Sequence, residues 1–464
     1  MGCLEVAPIT TRPILADVYV GRQRTRRVRR PALVFVFGFG GFIGIGTLLL
    51  SLPVSSAAGQ RTPLLDALFT STSAVCVTGL VVFDTGTYWS TFGQVIILVL
   101  IQLGFGFMTS STLLLLLLRR RETLRDRILL RESLGGGGLG SAVQLTRRII
   151  AFTLAVEAAG AVLLSLAFMG EMDAPQAIWW GVFHSISAFN NAGFDLVGGF
   201  RSLVPFNQQP GIVLTIAGLI ILGGISYAVV GDLVSNRRFV RLALDSKLVL
   251  VTTAALIVLG TVGVLLTERA NPDTLGDMSA GPRLLNAFFT GVTPRTAGFN
   301  TIDTAAMTET GLFVLIALMF VGGAAGSTAG GIKAQTFSLL FFAIATAVRG
   351  GTDVEAFGRR VSNASVLRAI AVALLALALV FVVAFVLTLT EKARFVYLLF
   401  ESFSAFGTVG MSTGITPDLT SVGRLIVSLT MFAGRLGPLT LALALAARER
   451  RAVYRWPEEQ VRIG

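Results

Sequence analysis

Cys76-Val77-Thr78-Gly79-Leu80 is the first of four stretches that decide the fold. The others are Asn190-Asn191-Ala192-Gly193-Phe194, Arg295-Thr296-Ala297-Gly298-Phe299 and Gly407-Thr408-Val409-Gly410-Met411. From glycine 79 to 193, 298 and 410 the steps are 114, 105 and 112 residues, and a phenylalanine stands ten residues before each: Phe69, Phe183, Phe288 and Phe400. A helix-like stretch too short to cross a bilayer leads into every glycine. This is a fourfold internal repeat in one polypeptide. Four backbone loops that meet on an axis inside a membrane are what a cation filter needs.

Composition agrees. Of 464 residues, 53% are hydrophobic and 14% charged, against about a quarter charged in soluble domains. The apolar runs reach the roughly 20 residues that span a bilayer. The chain therefore reads as an integral membrane protein with one membrane domain. Its basic N-terminal residues lead into a full-length apolar run, which is not the pattern of a cleavable signal. The net charge of +12 has no basic aromatic surface motif beside it, so it points to lipid-facing loops and not to nucleic acid. The only cysteines, Cys3 and Cys76, fall on opposite sides of the membrane in the topology below, so a disulfide framework is not expected.

The expected organisation is a basic cytoplasmic segment 1–30, repeat 1 over 31–118, a cytoplasmic linker 119–146 with a glycine-rich stretch at 134–140, repeat 2 over 147–235, repeat 3 over 247–348, repeat 4 over 365–447 and a cytoplasmic tail 448–464. Each repeat holds a span, a half-crossing helix, a glycine loop and a second span. The spans fall near 31–52, 92–118, 149–169, 211–234, 249–267, 311–347, 367–389 and 421–446. The fold class is thus an all-α membrane protein: four M1–pore-helix–M2 repeats, eight transmembrane helices and four re-entrant pore loops around a central pore. Non-helical backbone at membrane depth must be buried in protein or line water. Lys and Arg number 28 on one predicted side against 8 on the other, which puts both termini in the cytoplasm and the glycine loops toward the outside.

The candidate filter residues are Cys76, Val77, Thr78 and Gly79; Asn190, Asn191, Ala192 and Gly193; Arg295, Thr296, Ala297 and Gly298; and Gly407, Thr408, Val409 and Gly410. The side chains before the glycine differ from repeat to repeat, and only backbone and glycine recur. That is what coordination of a dehydrated monovalent cation by peptide oxygens predicts. Small residues that merely help helices pack are the competing reading; four glycines at repeat spacing favour the filter. No carboxylate ring lines the loops, which weighs against a divalent-cation filter. Asp66, Glu157 and Glu401 are intramembrane acids that do not recur, so a structural hydrogen-bonding role is expected. His184 holds the position that Thr70, Phe289 and Glu401 fill in the other repeats; a lone histidine makes no metal site. Arg295 should brace its loop with its side chain behind the filter.

Five glycines in the ten residues 322–331 should unwind the middle of the third repeat's last span. The candidate gate is Gly322, Gly323, Gly326, Ser327, Thr328, Gly330 and Gly331, with Lys333 and Arg435. The spacing is not that of a phosphate-binding loop. Arg435, deep in a span, needs partners such as unwound carbonyls. No catalytic constellation is present, so an enzyme is not expected.

These residues resemble the Trk/Ktr/HKT superfamily of potassium-translocating subunits, over roughly residues 31–447: Val77-Thr78-Gly79-Leu80, Asn191-Ala192-Gly193-Phe194, Thr296-Ala297-Gly298-Phe299-Asn300, Thr408-Val409-Gly410, the loop from Gly322 to Lys333, and Gly434-Arg435-Leu436-Gly437-Pro438. The length is similar to the KtrB-like bacterial branch. The resemblance implies potassium (K+) uptake across the bacterial inner (plasma) membrane, with no organic cofactor in this chain and sodium (Na+) as a second ion. It implies a homodimer in membrane lipid, a gate at 322–331 contacted by Arg435, and control by a separate cytosolic RCK-type nucleotide-binding ring, KtrA-like. Gly79 stands where a serine marks some sodium-conducting plant relatives, so it reads as potassium-permissive. The alternative function is a secondary transporter that couples sodium and potassium movement through broken helices. Pro294, before Arg295, departs from the pattern.

Overall fold

The computed structural model describes residues 31–118 and 139–437, with side chains over 36–106 and 146–437. The expected N-terminal segment 1–30, the linker up to 138, the end of the last span past 437 and the tail 448–464 lie outside the described residues.

The described chain is helical apart from one small hairpin. In order the helices are α1 (Pro31–Leu50), α2 (Leu64–Cys76), α3 (Thr91–Leu118), α4 (Leu139–Phe168), α5 (Ala174–Phe189), α6 (Pro210–Gly224), α7 (Tyr227–Ser235), α8 (Leu244–Glu268), α9 (Ala280–Val292), α10 (Glu309–Met319), α11 (Ala334–Val348), α12 (Asn363–Thr390), α13 (Phe395–Gly407) and α14 (Ser421–Leu436). Strands β1 (Glu355–Ala356) and β2 (Arg359–Arg360) pair antiparallel between α11 and α12. By length and apolarity alone Thr146–Phe168, Leu244–Glu268 and Asn363–Thr390 can each cross a membrane, and α6 with α7, bent by 94°, are long and apolar enough only when taken together. The large apolar side chains left exposed along these helices, such as Leu163, Val258 and Phe385, suit a lipid solvent, where nothing drives them inward.

The short helices α2, α5, α9 and α13 are buried between the longer ones. Each packs against the first helix of its own unit and also against the helix that follows the glycine loop in the unit before it: α5 on α3, α9 on α6, α13 on α10, and α2 on α14, which closes the order. The lock is a buried aromatic on each, Phe69, Phe183, Phe289 and Phe400, all without solvent exposure. In the third unit this is Phe289, nine residues before Gly298, and the expected Phe288 is only half-buried beside the core. The third unit is one residue shorter between helix and glycine. In the other units the N–H before the glycine reaches the carbonyl five residues back (Thr78 to Ser73, Ala192 to Ser187, Val409 to Ser404), but Ala297 reaches four back to Thr293. The position of His184 is accordingly filled in the third unit by Thr290, not by Phe289.

Two further boundaries differ from the sequence expectation. Helix α4 already starts at Leu139, inside the expected linker. The span expected over 211–234 breaks at Ile225 and Ser226 into α6 and α7.

One ion pair ties the first unit to the fourth. Arg424 on α14 donates to Asp66 on α2 at 2.5 Å and to the Pro417 carbonyl at 2.8 Å. Both side chains are largely buried, at 21% and 8% exposure. Asp66→Asn should cost about 2 kcal/mol, less than a fully buried pair because Arg424 is partly hydrated, and should lower the unfolding midpoint of the detergent-solubilised protein.

Candidate functional site: a ring of four glycines

A left-handed residue stands two before each glycine: Val77 (φ 57°), Asn191 (58°), Thr296 (73°) and Thr408 (50°). The glycines are left-handed too, at 94°, 72°, 81° and 90°. This alternation turns the chain back on itself, a path that glycine follows without a Cβ penalty.

The four glycines touch one another in cyclic order. A Cβ on Gly193 would lie 2.7 Å from the Ala297 oxygen and 3.1 Å from Gly298 Cα; one on Gly298 would lie 2.6 Å from the Val409 oxygen and 3.2 Å from Gly410 Cα. A Cβ on Gly410 would collide with the Thr78 oxygen and come within 3.0 Å of Gly79 Cα, and one on Gly79 would collide with the Ala192 oxygen beside Gly193. The peptide oxygens of Thr78, Ala192, Ala297 and Val409 thus each sit against the glycine of an adjoining unit. The glycines line the base of a cavity of about 480 Å³, walled by the loops that follow them.

A hydroxyl on the last turn of each short helix holds the loop. Gly79 N–H donates to Ser73 Oγ at 3.0 Å and Gly410 N–H to Ser404 Oγ at 3.1 Å. Ser187 Oγ and Thr293 Oγ1 instead donate to the carbonyls of Phe194 and Phe299, both at 2.7 Å. The sequence reading missed these four. The signal was available: serine six residues before the glycine in three units and threonine five before in the shortened one.

The predicted residues around the ring divide into two groups. Val77, Thr78, Ala192, Thr296, Ala297 and Val409 are buried in the loops themselves. Cys76 and Gly407 are the closing residues of α2 and α13, and Cys76 is a buried free thiol. Asn190 turns its amide away from the ring, donating to Glu157 Oε1 and Gln102 Oε1, both at 2.8 Å, while Gln102 donates to Glu157 Oε2 at 2.7 Å. The Asn191 amide sits between Thr296 Oγ1 and the Arg295 carbonyl on one side and the Ala188 and Ile220 carbonyls on the other, and with its nitrogen assigned to the latter pair it ties the second loop to α6. Arg295 points behind its loop, its Nη2 3.4 Å from the Gly322 carbonyl. Glu401 accepts from Thr416 at 2.5 Å. His184 is fully buried, with Nδ1 2.8 Å from the Trp180 carbonyl and Nε2 accepting from Leu196 N–H at 3.3 Å. No group of three metal-ligating side chains is found among the described residues.

Residues 322–331 are unwound between α10 and α11, as the glycines require. The loop is pinned at its neck, where Val321 bridges Ile332 and Gly322 N–H donates to the Ile332 carbonyl at 2.9 Å. Its body hangs on the second unit: Ala324 N–H donates to the Gly224 carbonyl at 2.9 Å and Thr328 N–H to the Gly223 carbonyl at 3.3 Å. The break after α6 leaves these two carbonyls without helical partners, so the bend and the loop satisfy one another. Gly330 presses on Thr408 and Gly331 on Gly407, directly beneath the ring. Arg435 Nη1 donates to the Thr328 carbonyl, and Lys333 Nζ to that of Ala329 at 2.6 Å.

The TrkH family, described as cation transport protein, matches residues 22–452. The potassium/sodium uptake protein NtpJ of Enterococcus hirae is 39% identical over 450 residues, covering 96% of this chain and 99% of its own length. The Ktr system potassium uptake protein B of Bacillus subtilis is 39% identical over 435 residues, covering 94% and 97%. The crystal structure of the potassium transporter TrkH from Vibrio parahaemolyticus superposes with a TM-score of 0.69 at 18% identity, over 92% of this chain and 87% of that one, and so shares the fold. The chain belongs to the TrkH family of cation transport proteins, within its Ktr-like branch.

Proposed function

We propose that the glycine ring is the selectivity filter of a potassium uptake pathway and that loop 322–331 is its gate. The carrying observation is the cyclic contact of Gly79, Gly193, Gly298 and Gly410, each beside a peptide oxygen of an adjoining unit. Oxygens fixed by the folded backbone can replace the water shell of a monovalent ion without the binding strength of a carboxylate ring. The names of the relatives, potassium uptake and potassium/sodium uptake, support potassium as cargo and sodium as a second ion. In this reading the units are four M1–pore-helix–M2 repeats with eight spans. The termini are cytoplasmic, the cavity faces outward across the bacterial plasma membrane, two subunits pair, and a KtrA-like RCK ring below sets the gate. A closed order of four units favours a continuous pathway over the rocking of two inverted halves. Isotope flux of potassium and sodium into vesicles holding the purified chain tests it: selective potassium entry is expected, and movement of one ion in fixed stoichiometry with the other would favour the coupled transporter.

The cavity above the ring carries Asp84, Asp195 and Asp303 with a single arginine, Arg201, a net negative mouth that concentrates cations. Burial pushes the Asp195 carboxyl, on the loop outside the spans, up to about 7, with Asp84 nearby adding to the rise. The group is charged above that pH and neutral below it. At subsaturating potassium, flux should fall as the outside pH drops from 8 to 6, and Asp195→Asn should flatten that dependence.

A further inference from the structure

Helix α11 ends at Val348. There the connections α7–α8 and α11–α12 are locked together. The β1–β2 hairpin turns at Phe357 and Gly358, both left-handed (φ 52° and 72°). An aromatic residue is strained in that conformation, and packing holds it there. The Phe357 ring lies 5.9 Å from Phe239 and 5.9 Å from Phe342. Lys247 Nζ sits 5.7 Å from the Phe239 ring and 6.0 Å from that of Phe357, and donates to the Val240 carbonyl at 2.9 Å. Two connections far apart in sequence thus form one built surface.

That surface is strongly basic. Arg237, Arg238, Arg241, Arg349 and Arg359 are exposed, and none has an ion-pair partner among the described residues. The acids nearby are engaged or few: Asp353 is taken by Arg360 at 2.7 Å, Asp232 by Ala243 N–H and Asn236, Asp245 by Gln335, and only Glu355 is unengaged. Between the arginines stand bare apolar side chains, with Val240 and Val348 both 82% exposed, and this apolar face runs on along α11 through Phe341 and Ile344. A purely aqueous surface gains nothing from these groups. A headgroup layer satisfies both: phosphate for the guanidinium forks and acyl chain for the valines.

We propose that the surface formed by residues 237–241 and the 349–360 hairpin is a binding site for the headgroup of an anionic phospholipid, with the lipid's chains lying on α11. The inference rests on the membrane-spanning reading of this chain but not on its ion selectivity. It goes beyond a general excess of positive charge, because the aromatic–lysine lock fixes arginines from two distant connections on one patch.

The test is native mass spectrometry of the full-length protein released from detergent with added phosphatidylglycerol or phosphatidylcholine, on wild type and on R237Q/R238Q/R359Q. These side chains make no contacts that the fold needs. Retention of phosphatidylglycerol should fall about tenfold or more, while weak phosphatidylcholine retention stays unchanged. The R237K/R238K/R359K variant should keep most of the binding, and it carries the test if the glutamine variant does not fold. Equal phosphatidylglycerol retention in wild type and glutamine variant overturns the site. Full displacement of the lipid by inorganic phosphate overturns the acyl-chain half of it. If wild type shows no preference for phosphatidylglycerol but captures a purified cytosolic regulator through the same arginines, the surface is a protein dock and the lipid assignment is wrong. Each readout is independent of flux, so a failed filter would leave the result standing.

Discussion

Gly193→Ala should abolish selective potassium flux, lowering it by about a hundredfold or more, while Gly414→Ala should keep it within a few-fold of wild type. Both glycines are left-handed, at 72° and 86°, so both substitutions carry the same dihedral penalty of about 1–2 kcal/mol. They differ in what the new methyl meets. At Gly414 nothing lies within 4 Å, although the residue also lines the cavity. At Gly193 the Cβ would sit 2.7 Å from the Ala297 oxygen and 3.1 Å from Gly298 Cα. The obstacle is backbone, which cannot swing aside as a side chain would. The third loop must move outward, and its oxygen goes with it. About 3 kcal/mol of lost ion stabilisation in the pathway suffices for the hundredfold effect. Potassium and sodium flux into vesicles, normalised to folded protein recovered from a sizing column, reads the outcome. If the two alanine variants behave alike, the ring is not the place where the ion is dehydrated.

That contrast also shows how far the sequence could be read. The glycines announce themselves because a left-handed turn beside another backbone leaves few residue choices, and the same logic exposes the unwound loop at 322–331. Counting back from a glycine, however, assumes equal spacing. The third unit reaches its glycine in one residue fewer, so Phe288 took the place that belongs to Phe289. The break after Gly224 was hidden for a different reason. The run 211–234 is apolar almost throughout, and nothing local demands an interruption. The demand comes from a loop about a hundred residues downstream, whose Ala324 and Thr328 N–H groups need the Gly224 and Gly223 carbonyls. Glu157 is similar: its partners Gln102 and Asn190 lie 55 and 33 residues away, and no periodicity encodes such a meeting.

Deleting residues 323–331 should raise potassium flux about tenfold or more and leave the preference for potassium over sodium intact. The loop lies against two of the four glycine segments, with Gly322 beside Thr296 in the third and Gly330 and Gly331 against Thr408 and Gly407 in the fourth. The ring's own supports, the hydroxyls of Ser73, Ser187, Thr293 and Ser404, belong to the short helices and do not involve it. Removing the loop therefore clears the path without disturbing the oxygens above. Arg435→Gln is the graded version. Its guanidinium is fully buried, donates to the Thr328 carbonyl, and leaves Nε and Nη2 without partners among the described residues. The loop is thus held by a charge-assisted bond worth about 1.5–3 kcal/mol, on an arginine that is costly to bury. If the loop is a two-state gate, losing that bond shifts it toward its open form by about ten- to a hundredfold in equilibrium constant. Flux in Arg435→Gln should then lie between wild type and the deletion. A deletion that changes selectivity but not rate would make the loop part of the filter, and one that changes neither would remove it from the pathway.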